Sequence, residues 1–239
     1  MKKNRLIPIV LLKDGWVVQS KDFSQYQNLG NPVTTVKRLS EWASDEIIYI
    51  DISRGDKYAT RRNDQGYKNR GSFLNIIKDV SDIAFMPITV GGKIRTMKDI
   101  EDRLSSGADK ICLNSIAIND TKFINQASKE FGSQCIVISI DAKKNLDNHL
   151  VYSNGGREIT NMTPDEFARI VEDNGAGEIL INSIDRDGSG SGYDIPLIEK
   201  VADSVSIPVI ACGGVGGWDH FSEAFEKTIT TYIKNIKSF

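Results

Sequence analysis

Ile88-Thr89-Val90-Gly91-Gly92 is a short apolar stretch that ends in a glycine pair, and the pattern returns as Val209-Ile210-Ala211-Cys212-Gly213-Gly214. Two other apolar stretches run into acidic segments, Asp51-Ile52-Ser53-Arg54-Gly55-Asp56 and Asp185-Arg186-Asp187-Gly188. Both patterns recur after roughly half of the chain, which predicts an α/β fold, a (β/α)8 TIM barrel built from two similar halves. The C-terminal ends of the strands form the active-site face of such a barrel, so we expect the chemistry there.

Length and composition restrict the class of protein. The 239 residues fit one barrel domain over residues 1–239, and the net charge of −2 gives no reason to expect nucleic acid or a membrane as partner. No apolar run approaches the roughly 18 residues that cross a bilayer. Cys112, Cys135 and Cys212 lie far apart in apolar stretches, which is typical of reduced thiols in the cytoplasm. No Cys or His pair has ligand spacing, so neither a metal nor a cofactor is expected.

Seven apolar runs without strict alternation are predicted to be buried parallel strands. These runs are Leu6–Leu12, Ile47–Ile52, Met86–Val90, Lys110–Leu113, Ile136–Ile140, Glu178–Ile181 and Pro208–Ala211. Segments of helical period alternate with them: Val33–Ala43, Phe73–Val80, Met97–Leu104, Lys122–Phe131, Pro164–Asn174, Ile195–Ala202 and Trp218–Lys227. After the last helix only Thr228–Ile233 is left as a strand, so we predict a degenerate or truncated eighth βα unit.

Polar residues at the strand ends are the candidates for chemistry. Asp141 ends the fifth strand, where a carboxylate is placed to accept or deliver a proton; a loop-capping role is the alternative. Glycines and short polar side chains at other strand ends suit phosphate groups, because they present N–H and O–H donors to an oxyanion. This predicted phosphate set is Gly91, Gly92, Asn114, Ser115, Asp187, Gly188, Gly213 and Gly214. Glycines that only make tight turns are the alternative.

Four charged residues share a second pattern, since each lies at the start of a predicted strand. They are Arg5, Glu46, Lys110 and Glu178. Two cations and two anions at equal depth can close a ring of salt bridges around the barrel axis, and such a ring can simply seal the stability face of a barrel. His149, His220 and Arg61-Arg62 are interpreted as solvated surface positions, although the arginine pair could reach a substrate phosphate.

Ordered motifs over nearly the whole chain, up to about Phe225, resemble the cyclase subunit of imidazole glycerol phosphate synthase. The matching stretches are Lys13–Val18, Asp45-Glu46, Thr89–Gly92, Gly107–Lys110, Phe131–Gln134, Ile140–Lys143, Gly175–Leu180, Ser183–Gly188 and Ser191–Asp194. So many matches in order are specific to that family, whereas a single glycine pair would not be.

The resemblance implies a (β/α)8 barrel that forms a heterodimer with a glutaminase subunit docked on its N-terminal face. Ammonia from glutamine would pass along the barrel axis to a phosphorylated substrate. The four charged residues of the ring would then be an ammonia gate, and Asp109 would contact the partner. Asp141 would be one of two catalytic aspartates. Ammonia must stay neutral and shielded from water, which gives such a passage a physical purpose.

Departures from the family pattern point to a different acceptor of ammonia. The first catalytic aspartate of the family falls on Leu11, which cannot transfer a proton, and a loop lysine falls on Gln19. The third glycine after strand three falls on Lys93, which adds a cation beside one phosphate site. The second phosphate site has no clear match after Lys227.

These departures resemble a side branch of the family from surface-polysaccharide pathways. There a barrel and a glutaminase supply ammonia to a separate amidating enzyme that makes acetamidino sugars, with a phosphorylated or nucleotide-linked substrate. Two alternatives stay open at this point. One is a genuine imidazole glycerol phosphate synthase cyclase of histidine biosynthesis, and the other is a non-catalytic barrel that docks and activates a glutaminase.

Overall fold

The computed structural model describes residues 5–42, 44–55, 57–60, 63–64 and 67–236. The chain divides into two compact units, which are described separately. The first unit runs up to Gln19 and from Tyr26 to Leu113, and the second comprises Ser20–Gln25 and the chain from Asn114 onward. The prediction of a single domain over 1–239 stays a prediction.

The first unit is built around parallel strands. Its elements are β1 (Ile9–Lys13), β2 (Trp16–Lys21), β3 (Gln25–Gly30), α1 (Pro32–Glu41), β4 (Ile47–Asp51), β5 (Asn63–Asp64), β6 (Tyr67–Lys68), α2 (Phe73–Ser81), β7 (Ile88–Gly91), α3 (Met97–Ser105) and β8 (Lys110–Leu113); the last two residues of β2 and the first of β3 belong to the second unit. Strands β1, β4, β7 and β8 pair in parallel in that order. β2 returns antiparallel along β1, and β5 pairs antiparallel with β6.

The second unit repeats this alternation. It contains α4 (Ser115–Asn119), α5 (Thr121–Phe131), β9 (Ile136–Asn145), β10 (Asn148–Ser153), β11 (Glu158–Ile159), α6 (Pro164–Asp173), β12 (Glu178–Ser183), α7 (Ile195–Ala202), β13 (Val209–Cys212) and α8 (Trp218–Ile236), with 3-10 turns at Ser133–Cys135 and Ile184–Arg186. β9, β12 and β13 are parallel neighbours. β10 turns back antiparallel along β9, and β11 pairs with β10.

Apolar burial explains why these segments form strands and helices. In the first unit Ile47, Val90 and Ile111 are 0% exposed, and in the second unit Ile138 and Ile179 are equally buried. Strands covered on both faces carry continuous apolar runs, which is why the seven predicted strands coincide closely with the observed ones.

Capping residues mark the starts of two helices. Pro164 occupies the first turn of α6, and a reciprocal capping box joins Thr163 to Glu166. Asn31 caps α1 through a hydrogen bond from the backbone N–H of Val33 at 2.9 Å.

The end of the chain differs from the strand candidate at Thr228–Ile233. These residues continue α8, and among the described residues no strand follows β13. The sequence from Trp218 to Ile236 contains neither glycine nor proline, so nothing in it stops the helix. Thr228–Ile233 as a strand is therefore wrong.

Candidate functional site

Asp141 is the best-defined candidate for catalysis, and it lies in the second unit on β9. It does not end the strand as predicted, because β9 continues to Asn145 along β10, but it lies near the end of the parallel pairing with β12. Its side chain is buried, and the residue is only 7% exposed. Two amides hold the carboxylate: Asn114 Nδ2 donates to Oδ2 and Asn182 Nδ2 donates to Oδ1, both at 3.2 Å. Burial raises the pKa of Asp141 to about 6 and the charge of Asp187 adds to this rise, whereas the two amide hydrogen bonds oppose it. A carboxylic acid with this pKa can exchange a proton near neutral pH.

Strand register brings Asn182 to Asp141. The two residues are Cα partners in the parallel pairing of β9 with β12, so their side chains stand on the same face. Asn114 reaches the same carboxylate from the residue before α4, and its amide also donates to the carbonyl of Ser139 at 3.0 Å. Asn114 was a predicted site residue, but Asn182 was not. The sequence did contain one indication of Asn182, because this residue lies near the end of the strand that precedes the Asp185–Gly188 motif.

Asp187 and Gly188 anchor the segment Ser20–Gln25 within the second unit. The carboxylate of Asp187 accepts hydrogen bonds from Ser20 Oγ at 2.6 Å and from the Phe23 backbone N–H at 3.2 Å. Gly188 has φ +65, and a Cβ there would lie 2.4 Å from the Ser20 carbonyl oxygen. Oδ2 of Asp187 is thus already engaged as an acceptor, and phosphate binding at this pair stays a prediction.

Gly213 and Gly214 allow two backbones to cross in the second unit. Gly214 has φ +101, its would-be Cβ lies 2.0 Å from the carbonyl oxygen of Gly192, and the Gly192 N–H donates to the Gly214 carbonyl at 2.8 Å. Ser115 begins α4 and accepts a hydrogen bond from the Asn154 N–H at 3.3 Å. The predicted phosphate residues of the second unit therefore lie at strand ends or the loops after them, as expected, and their ligand stays a prediction.

The first unit holds a buried polar network at the end of β4. Asp51 accepts hydrogen bonds from Ser53 Oγ at 2.5 Å and Tyr58 Oη at 2.6 Å, and Lys93 Nζ lies 2.9 Å from its Oδ2. Lys93 also donates to the carbonyl of Gly55. The ammonium group is thus neutralised by Asp51, and its predicted role in holding a substrate anion remains untested.

The glycine pair of β7 has a packing role in the first unit. A Cβ on Gly92, which has φ +100, would lie 2.2 Å from the carbonyl oxygen of Asp51, and one on Gly91 would lie 3.0 Å from Cys112. The carbonyl of Gly92 accepts from Arg103 Nη2 at 2.8 Å. Asp56 and Arg61-Arg62 lie outside the described residues.

Three of the four predicted gate residues meet in the first unit. Glu46 is 7% exposed and pairs with Arg5, while Lys110 Nζ lies 3.0 Å from its other oxygen. Glu178, the fourth, is 8% exposed at the start of β12 in the second unit. Asp109 has an exposed side chain that accepts from the backbone N–H of Ile88 at 2.7 Å.

Leu11 lies in an apolar row of β1. Its Cα partners are Val18 on β2 and Ile50 on β4, so no carboxylate occupies its register on either neighbour. Gln19 is exposed on β2. Neither register partner of Leu11 therefore supplies a group that can transfer a proton.

His149 is not the solvated residue that the sequence suggested. Its side chain is 15% exposed, and its Nε2 lies 3.0 Å from Oδ2 of Asp194. Asp194 also caps α7 by accepting from the Leu197 N–H at 3.3 Å. Its hydrogen bond with His149 holds the pKa of Asp194 below the ordinary value. The partner is 45 residues away in sequence, so only the fold reveals the pair.

We expect Asp194→Ala to lower the free energy of unfolding by about 1–2 kcal/mol at pH 7, because α7 loses its cap. Since the folded pKa of Asp194 is depressed, its contribution is present above the ordinary aspartate pKa and is lost as pH falls through the folded one. Urea unfolding measures both effects. Asp203→Ala, at the exposed opposite end of α7, is the matched control; equal losses in the two variants would contradict the capping role.

Among the described residues, no group of three or more His, Cys, Asp or Glu side chains could hold a metal ion. No helix in that part of the chain is long and apolar enough to cross a membrane. The described cysteines are all free thiols.

Comparison with known proteins adds two findings. The family model described as histidine biosynthesis protein matches residues 5–234. The chain is also similar to the imidazole glycerol phosphate synthase subunit HisF of Hydrogenobaculum sp. (strain Y04AAS1), with 43% identity over 229 residues that cover 95% of this chain and 86% of the relative. The family match confirms the predicted fold class, α/β of the (β/α)8 barrel type.

Proposed function

Because the chain belongs to the histidine biosynthesis protein family, we propose that it is the cyclase-like, ammonia-accepting subunit of a glutamine amidotransferase. It would work in the cytoplasm as a heterodimer with a glutaminase subunit. The name of the HisF relative, an imidazole glycerol phosphate synthase subunit, supports the synthase part of this proposal.

The observation that carries the proposal is Asp141. A buried carboxylate near the end of the parallel pairing of β9 with β12, held by two amides and with a pKa of about 6, is equipped for general acid–base work. A loop-capping carboxylate would be exposed and would accept hydrogen bonds from nearby backbone N–H groups instead. In Asp141 both described partners are side-chain amides from other segments.

The ion pairs of Glu46 support entry of ammonia from a partner. A buried carboxylate held between two cations at the N-terminal ends of strands forms a polar but desolvated cluster. We propose that Arg5, Glu46 and Lys110 belong to the gate, with Glu178 as the fourth predicted member and Asp109 in the contact with the glutaminase. The exposed carboxylate of Asp109 is compatible with such a contact.

The acceptor of ammonia has two candidates. Leu11 favours transfer to a separate enzyme that amidinates a phosphorylated or nucleotide-linked sugar of surface polysaccharides, because ring closure lacks one of its two acids. The 43% identity to HisF and the retained Asp141 favour genuine ring closure in histidine biosynthesis at least as well. The chemistry at position 11 decides between them.

Both candidate acceptors assume a glutaminase partner. We test this partner by co-purification and by measuring glutamine turnover in the complex. We expect a stable complex in which the barrel stimulates glutamine hydrolysis. Absence of a complex with every glutaminase subunit encoded in the same genome would contradict it. If stimulation alone is the function, Asp141→Asn should leave every product-forming rate unchanged, which separates a docking scaffold from an enzyme.

We expect Glu46→Gln to lower glutamine-dependent product formation by on the order of tenfold while the ammonium-dependent rate stays the same. The neutral amide removes the two ion pairs that Glu46 makes with Arg5 and Lys110, which we propose to be part of the gate, while Asp141 is untouched. Product formation is measured with glutamine and with ammonium chloride in parallel. Glu41→Gln, on the exposed end of α1, is the control; a parallel fall in both rates would place Glu46 outside the passage.

A further inference from the structure

One of the two polar side-chain atoms of Asn182 has no hydrogen-bond partner among the described residues. Its Nδ2 donates to Asp141 Oδ1 at 3.2 Å, and an ionised carboxylate is only an acceptor, so this contact fixes which amide atom faces Asp141. The remaining polar atom of the amide is Oδ1. That oxygen is buried and has no hydrogen-bond partner among the described residues.

A buried acceptor without a donor is costly, and native structures contain few of them. Such an atom beside a catalytic carboxylate calls for a ligand that brings the missing donor. Asp141 and Asn182 stand in one register row of β9 and β12, and Cys212 continues the row on β13. The orphan oxygen therefore lies among the strand ends where the chemistry is expected.

The backbone of Gly213 packs close to this oxygen. A Cβ at Gly213 would lie 3.2 Å from Asn182 Oδ1 and 2.7 Å from the carbonyl oxygen of Ser183. Any other residue would therefore crowd the amide, and its φ of +92 also favours glycine. The position next to the orphan acceptor is thus kept free of side-chain atoms from Gly213.

We propose that Asn182 Oδ1 and the Asp141 carboxylate form a two-acceptor site for an N–H donor, and that this donor is ammonia. The identification of ammonia rests on the proposed function. Ammonia has three N–H bonds and one lone pair, so two hydrogen bonds to these oxygens leave the lone pair free to attack a carbon of the acceptor. An N–H group of the acceptor itself has the same hydrogen-bonding chemistry and is the competing source.

Binding is measured by NMR on the chain labelled with 13C at its aspartate carboxyl groups. Ammonium chloride is titrated at pH 8.5, and tetramethylammonium chloride serves as a cation without N–H bonds. We expect a saturable shift of the Asp141 signal with ammonium alone. A shift produced equally by both salts would overturn the proposal, since it would report charge rather than N–H donation.

Three variants locate the site. Asn182→Leu keeps the side-chain shape without polar atoms and should weaken ammonium binding about tenfold or more. Asn182→Thr has a shorter polar group and should weaken ammonium binding less. This variant replaces Asn182→Leu in the experiment if the leucine variant does not fold. Asn148→Leu, at the exposed first residue of β10, is the matched control. If both Asn182 variants bound ammonium as tightly as the wild type does, the proposal would be overturned.

The acidity of Asp141 gives a separate readout of the Asn182 contact. The hydrogen bond from Asn182 lowers the pKa of Asp141, so Asn182→Leu should raise it, and a carboxyl titration followed by NMR measures the change. A residue that only fills space would leave this pKa unmoved.

Two further experiments distinguish a failure of the ammonia site from a failure of the proposed function. The histidine-pathway ribonucleotide titrated without ammonium tests the competing source; an Asp141 shift with this compound but not with ammonium would assign the site to the acceptor. If ammonium does not bind but the glutaminase complex forms, the inference alone fails. If ammonium binds and no glutaminase associates, the site stands and the proposed function fails.

Discussion

The purified chain, supplied with ammonium chloride and the histidine-pathway ribonucleotide, is expected to release imidazole product about 10²–10⁴-fold more slowly than the HisF relative from Hydrogenobaculum. This range is the usual cost of losing a general acid or base. Leu11 stands in an apolar register row between Val18 and Ile50, so neither neighbour in its row replaces the missing carboxylate. Product release under matched conditions measures the ratio.

Leu11→Asp tests the cause of this slow rate. If the chain is a histidine enzyme lacking one acid, the substitution should recover most of the lost rate; if ammonia goes to another acceptor, the rate should stay low. Leu11→Asn has nearly the same size as the aspartate variant and cannot transfer the proton, so it controls for the polar change. An ordinary cyclase rate in the unmodified chain would refute the sugar-directed proposal.

The second large effect concerns the pH dependence of stability. The pKa of Asp141 rises from 3.8 to about 6 on folding, so the folded chain binds more protons than the unfolded chain between these values. The stabilising contribution is therefore complete below the unfolded pKa and is lost as pH rises through the folded one. Relative to Asp141→Asn, the wild type should lose about 2–3 kcal/mol of unfolding free energy between pH 4 and pH 7.5.

Urea unfolding of both proteins at a series of pH values measures this difference. Asp147→Asn, on the exposed turn between β9 and β10, controls for the loss of one negative charge. A stability difference between wild type and Asp141→Asn that stays constant over this range would contradict the raised pKa. A wild type that gained stability relative to Asp141→Asn as pH rises would show that the pKa of Asp141 is lowered on folding.

Local patterns in the sequence predicted most of the framework. Continuous apolar runs identified the buried parallel strands to within a few residues, because a strand covered on both faces needs no alternation. The antiparallel turn from β1 to β2 was missed, although Asp14-Gly15 between two apolar stretches is a strong hairpin signal. The continuation of α8 was missed because threonine and isoleucine favour strands in isolation, while the helix is settled by its context.

The candidate site was predictable only where one residue carries the chemistry. Asp141 was identified because an acid at a strand end is conspicuous, and the sequence placed it correctly on the fifth parallel strand. Asn182 and the pair of His149 with Asp194 were not, because their importance comes from partners 41 and 45 residues away. Strand register and loop packing bring such partners together, and neither can be read from one sequence without the fold.

The crossing of Gly214 over Gly192 sets a limit for anyone who diversifies this chain. A second crossing follows it, where a Cβ on Gly216 would lie 2.4 Å from the carbonyl oxygen of Gly190. Both clashes are with main-chain atoms, so side-chain rearrangement cannot relieve them. Mutant libraries aimed at new specificities should spare these glycines and randomise the exposed serines on either side of Gly190, Ser189 and Ser191, whose side chains already contact each other.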